Sequence, residues 1–110
     1  MKEYILCAAI WFDNKVKYPN QPENIETGIV FCGFKHAAIY QQVCSISGGD
    51  FLMKTMHENG GFLTNKNRYV SREEALKIAI DAHQINDINK IKRGNLSSGN
   101  LYQSDIYIKN

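Results

Sequence analysis

Between Gly61 and Ala75 the chain reads GFLTNKNRYVSREEA, which brings two aromatic rings (Phe62, Tyr69), a hydroxyl (Thr64), amides (Asn65, Asn67) and three cations (Lys66, Arg68, Arg72) together ahead of a helix. The helix is signalled by Ser71, three residues before Glu74. That is the capping-box spacing, in which the serine oxygen accepts from the helix backbone and the glutamate reaches back. A helix start presents backbone N–H groups without intrahelical partners and a partial positive charge, so it stabilises a phosphate, more so if arginines add forked, charged donors. Arg68 and Arg72 would supply those forks. Phe62 and Tyr69 offer faces on which a base could stack, and Thr64, Asn67 and Gln84 offer groups for its polar edges. Such a kit suits a nucleotide. The competing structural reading is that Glu73 and Glu74 pair with the two arginines on a solvated helix start. A second junction of this kind, Gly33-Phe34-Lys35-His36, puts a cation where a strand gives way to a helix.

Other chemistries are poorly supported. No Gly-x-Gly-x-x-Gly and no Gly-Lys-Ser/Thr loop is present, and the glycine pairs at 48/49 and 60/61 stand alone. Arg72-Glu73-Glu74 falls short of the Arg-Glu box of nucleotide hydrolases, because Thr64 occupies the position of that box's first glutamate and Leu76 and Lys77 replace its acids. His36, His57 and His83 have no metal-ligand spacing to one another or to a cysteine, so neither a metal site nor a cofactor is expected. A Cys32/His36 nucleophilic pair is outweighed by the apolar strand pattern around Cys32, which reads as a buried, inert thiol. Cys7, Cys32 and Cys44 are odd in number and not closely paired; all three read as buried, reduced thiols rather than a disulfide framework.

The elements that must position these groups are legible in outline. Tyr4–Phe12 is aromatic and branched, too short for a typical helix and stopped by Asp13-Asn14, which predicts a central strand. Residues 18–27 hold both prolines, Pro19 and Pro22, and predict an ordered, irregular loop. Gly28–Gly33 predicts a second buried strand. Ile39, Tyr40, Val43 and Ile46 recur at helical spacing over residues 35–47, ending at Gly48-Gly49. Residues 50–60 are ambiguous around Phe51-Leu52-Met53. Phe62–Thr64 predicts a short strand, residues 65–70 an extended connection, and Ala75, Ile78, Ala79, Ala82 and Ile85, widened by Leu76 and Ile80, a well-buried helix from Ser71. Residues 86–100 are polar, and apolar character returns over Leu101–Tyr107.

At 110 residues, with 44% hydrophobic and 22% charged residues, the chain predicts a single α+β domain over residues 1–110 with a largely antiparallel sheet covered by two helices. So small a chain carries a modest core, which self-association would supplement. The net charge of +2 is too small to argue for wrapping DNA or RNA. The apolar run Ile5–Phe12 is preceded by an acid and followed by Asp13, with no cleavage pattern, and no segment reaches the roughly 18 apolar residues of a membrane span. A cytosolic protein is expected.

Taken in order, Asn24–Gly28, the Gly33-x-Lys35-His36 junction, Gly61–Thr64, Lys66–Val70 with Arg72, Gln84, and Leu101-Tyr102-x-x-Asp105-Ile106-Tyr107 carry a resemblance. From residue 4 to residue 107 the sequence resembles the phage Thoeris anti-defence sponge proteins of the first type described. The resemblance implies a non-enzymatic inhibitor acting in the cytoplasm of the infected bacterium, which captures without cleavage the cyclic ADP-ribose isomer made by bacterial TIR-domain proteins. It further implies an α/β homo-oligomer, a dimer or hexamer, with the ligand enclosed near subunit boundaries; some such proteins are hexamers that also bind cyclic trinucleotides, a class of cyclic oligonucleotide. The strand-to-helix junction departs from the arginine-rich version this likeness leads one to expect. Phe34 donates no charged fork, which shifts phosphate contacts toward Arg68, Arg72, Lys92 and Arg93. The enzymatic rival is a small nucleotide-processing hydrolase using His36 or His57 as base with Glu26 or Asp105 as partner. A third reading is an inhibitor that binds a host protein and no small molecule.

Overall fold

The computed structural model describes residues 2–47 and 60–85. Its elements are β1 (Ile5–Phe12), β2 (Ile29–Gly33), α1 (His36–Ser47), β3 (Gly61–Thr64), β4 (Tyr69–Ser71) and α2 (Arg72–Asp81). The strands form one sheet in the order β2-β1-β3-β4, with every neighbouring pair antiparallel. Two helices on an antiparallel sheet make this an α+β fold, as the sequence predicts.

One face of the sheet carries the core. Ala8, Ile10 and Phe12 alternate along β1, and Phe62 and Val70 align with Ala8 across β3 and β4. Ile5 joins them, although three positions from Ala8, because an irregularity between Ile5 and Cys7 shifts the register by a residue. Ile39 and Val43 of α1, and Ala75 and Ala79 of α2, close the core from above at helical i, i+4 spacing. Fully burying residues such as Phe12 and Phe62 contributes about 1.5–3 kcal/mol each.

The 13–28 connection serves the other face. It reaches across to β4, where the Asn24 amide accepts from Tyr69 N at 2.9 Å and donates to Tyr69 O at 2.6 Å, occupying that edge as another strand would. It returns through Trp11, whose indole N–H donates to Thr27 O at 2.8 Å, and Gly28, at φ +90, where a Cβ would collide with the main chain of Phe12 and Asp13.

Four expectations change. The connection 65–70 is a hairpin: residues 65–67 turn between Thr64 and Arg68, with Asn67 in the left-handed region at φ 58, and lead into β4. The second helix ends at Asp81, with His83 at φ 58 and Gln84 N bonded to Ala79 O at 2.8 Å, a Schellman closure. Ile80, assigned to its apolar stripe, is exposed. Cys32 and Cys44 are exposed and Cys7 half-buried, because Cys32 faces away from the helices on a terminal strand. The expectations for residues 50–59 and 86–107, together with His57, Lys92, Arg93 and Asp105, lie outside the described residues. Among the described residues no helix is long and apolar enough to cross a membrane.

Candidate functional site

The opening stretch divides into a structural half and a half with binding potential. Arg68 belongs to the first. Its Nε donates to Glu3 Oε2 at 2.9 Å and its Nη2 donates to Glu3 Oε1 at 2.9 Å and to Glu74 Oε2 at 3.1 Å. Thr64 Oγ1 donates to Glu3 Oε2 at 2.7 Å. The bonds from Arg68 hold the Glu3 carboxyl at about 2, well below its usual 4.5, and Glu3 in turn raises the pKa of the guanidinium. Arg68, expected to grip phosphate, is here an ion-pair hub that joins Glu3 of the N-terminal segment to Glu74 of α2. Glu74 does not complete a reciprocal capping box. Its N–H donates to the capping Ser71 Oγ at 3.1 Å while its carboxylate accepts from Arg68.

Three other expected ligand contacts take structural roles. Thr64 is fully buried beside Glu3. Gln84 is buried, with Nε2 donating to Ile5 O and Oε1 accepting from Ile5 N, each at 2.8 Å, so it clamps the start of β1. Phe62 is wholly buried, so no base can stack on it. Tyr69 and Phe62 also cannot share one ligand slot: Val70 points with Phe62 to the core, so Tyr69 faces the other side, edge-on to Trp11 at 5.9 Å. Asn67 is exposed at the hairpin tip.

The remaining expected residues converge. His36 and Arg72 are the first residues of α1 and α2, and both pack against Phe62: His36 edge-on at 5.1 Å, Arg72 with its guanidinium carbon 6.0 Å from the ring centroid. Gly61 makes this possible. Its carbonyl accepts from His36 Nε2 at 2.8 Å, which places the imidazole proton on Nε2, and a Cβ there would run into Val70 O and the Tyr69 ring. At Gly60, with φ +81, a Cβ would stand 3.1 Å from His36 Cδ2.

Burial lowers the His36 pKa to about 4, so the ring is neutral near pH 7. Burial likewise pushes the Arg72 pKa down, with the fields of Tyr40 and Tyr69 opposing it. Arg72 is half-buried, and burial disfavours its charge. Lys35 stands one residue before α1, its ammonium 5.8 Å from the centroid of the exposed Phe34 ring. Tyr40 was not among the residues singled out from sequence for binding; its signal was the i, i+4 spacing from His36 on one helix. Glu3 was missed as well, since a lone acid before a strand carries no motif. Apart from this junction, an open depression of about 530 Å³ is lined by residues including Lys17, Tyr18, Glu23 and Glu26, whose two acids suit a polyanion poorly.

No metal-holding group of three or more His, Cys, Asp or Glu exists among the described residues. No curated protein and no solved structure matches the chain. A family model does match, over residues 4–107, nearly the whole length. By that match the chain, whose helix starts meet over Phe62, belongs to the phage T4 y16D protein family.

Proposed function

We propose that this phage protein captures an anionic nucleotide signal of the cyclic ADP-ribose class, made by bacterial TIR-domain immune proteins, and holds it without cleaving it in the cytoplasm of the infected host. The observation that carries the reading is Arg72: a half-buried guanidinium at a helix start, its charge disfavoured by burial, resting on an aromatic floor beside a second helix start. Charge-assisted forked bonds from Arg72 to a bound phosphate would contribute about 1.5–3 kcal/mol each. Lys35 and His36 flank the site, Tyr40 and Tyr69 lie within electrostatic reach of the guanidinium, and Arg93 is a further cation assigned to the ligand from sequence alone. The ligand fits a homo-oligomer, dimer or hexamer, in which neighbouring copies complete the enclosure. Cyclic trinucleotides are a second candidate class.

The state of His36 supports capture over hydrolysis. An imidazole with a pKa near 4 that has committed its Nε2 proton to a carbonyl is a weak general base at neutral pH. The deciding experiment exposes the protein to TIR-domain product, heats it and identifies the released molecule by mass spectrometry. Intact cyclic ligand is expected, with Arg72→Gln releasing at least tenfold less. A cleaved product would establish the hydrolase instead, and release of no small molecule at all would favour an inhibitor of a host protein.

A further inference from the structure

Cys7 and Cys32 are remote in sequence, yet the register brings them together. Ala9 aligns with Cys32 across β1 and β2, and Cys7, two residues before Ala9, points to the same side. Both therefore lie on the sheet face away from the helices, diagonally across one strand pair. Each sulfur shifts the titration of the other, as neighbouring thiols do, and the Gly33 N–H favours the Cys7 thiolate. Cys32 is exposed and Cys7 half-buried, so reagents can reach the pair.

We propose that Cys7 and Cys32 form a dithiol site for a soft, thiophilic cation of the Cu(I) class. Diagonal neighbours on adjacent strands stand about 7–8 Å apart at Cα and somewhat closer at Cβ, whereas a disulfide needs about 3.5–4.5 Å between Cβ atoms. A bridging metal atom accepts a wider separation of the two sulfurs than a direct S–S bond does. Zinc would ask for four ligands, and among the described residues no third His, Cys, Asp or Glu joins the group. Thiolates select Cu(I), which two sulfurs satisfy. In the binding step each thiol loses its proton to solvent, two S–Cu bonds form, and no electron is transferred. Cys32 and the Gly33 N–H lower the Cys7 pKa and ease the first deprotonation, whereas Cys7 and burial raise that of Cys32, so the second proton leaves as the metal takes its place. The bound ion would tie the terminal strand β2 to the central strand β1.

The test offers the reduced full-length chain Cu(I) held by a chromophoric chelator, without oxygen, and follows the colour lost. One copper per chain and a higher melting temperature are expected, with the same uptake by Cys44→Ser. Cys32→Ser, at an exposed position, should melt like the metal-free protein and take no copper, and Cys7→Ser should behave alike. The proposal is overturned if the chain leaves the chelator untouched, if either of these two variants keeps its copper, if Cys44→Ser loses it, or if one copper joins two chains.

Discussion

Arg68 and Arg72 stand one helical turn apart in sequence and have different work. Arg68 holds two carboxylates, whereas Arg72 lies half-buried over an aromatic ring and burial lowers its pKa. Arg68→Ala should therefore cost about 1–3 kcal/mol of stability, at the lower end where solvent screens the pair with Glu74, while leaving capture of the ligand nearly unchanged. Thermal melts beside calorimetric titration check this; a loss of binding without a loss of stability would return Arg68 to the ligand. Glu3 adds a pH signature. Its folded pKa of about 2 lies below the usual 4.5, so the stability it contributes is fully present above about 4.5 and drains away as pH falls through about 2. His36 acts in a higher window. Its folded pKa of about 4 lies below the usual 6.5, so between those values the unfolded chain binds more protons and stability falls on acidification, by on the order of 3 kcal/mol in all. Melting temperatures of Glu3→Gln and His36→Gln against pH should flatten in these two separate windows.

At the scale of elements, boundaries followed from composition wherever a local signal existed. Aromatic and branched residues marked β1, glycine marked the ends of β2, and Ser71 marked the start of α2. Ser71→Ala should lose the bond to Glu74 N and about 1 kcal/mol of stability. What stayed hidden was set by partners distant in sequence. β4 is three residues long and exists because β3 and Asn24 pair with its two edges, so nothing within Tyr69-Val70-Ser71 announces it. The end of α2 escaped notice because His83, not glycine, takes the left-handed position. The candidate site suffered most. Thr64, Phe62 and Gln84 have the chemistry of ligand contacts, but Glu3, the packed helices and the Ile5 main chain claim them. Arg72 was identifiable from sequence, although its difference from Arg68 was not. The hairpin tip allows a clean check of the backbone argument: Asn67→Gly should be near neutral at φ 58, and Asn67→Val should cost about 1–2 kcal/mol, both read from denaturant midpoints.

For the whole molecule, capture and cleavage differ in what they do to the folding equilibrium over time. A ligand that binds only the native state adds RT ln(1 + [L]/Kd), about 2.7 kcal/mol at a hundredfold excess over Kd, and for a domain of this size that raises the melting temperature by roughly 10 °C or more. A sponge keeps this shift through long incubation because its ligand persists, whereas a hydrolase loses it as the ligand is consumed. On the proposed reading the shift should be largest with a cyclic ADP-ribose isomer and small with linear ADP-ribose. It should shrink as salt rises, because half-buried Arg72 and the exposed lysines of the chain draw on charge that screening weakens. Arg72→Gln keeps a polar side chain at the start of α2 but removes the charged fork, so it should melt near wild type without ligand and respond little when ligand is added. If Arg72→Gln responded as strongly as wild type while Lys35→Gln did not, the phosphate would have to sit at the α1 junction alone, and the convergence of the two helix starts over Phe62 would be a packing solution with no part in binding.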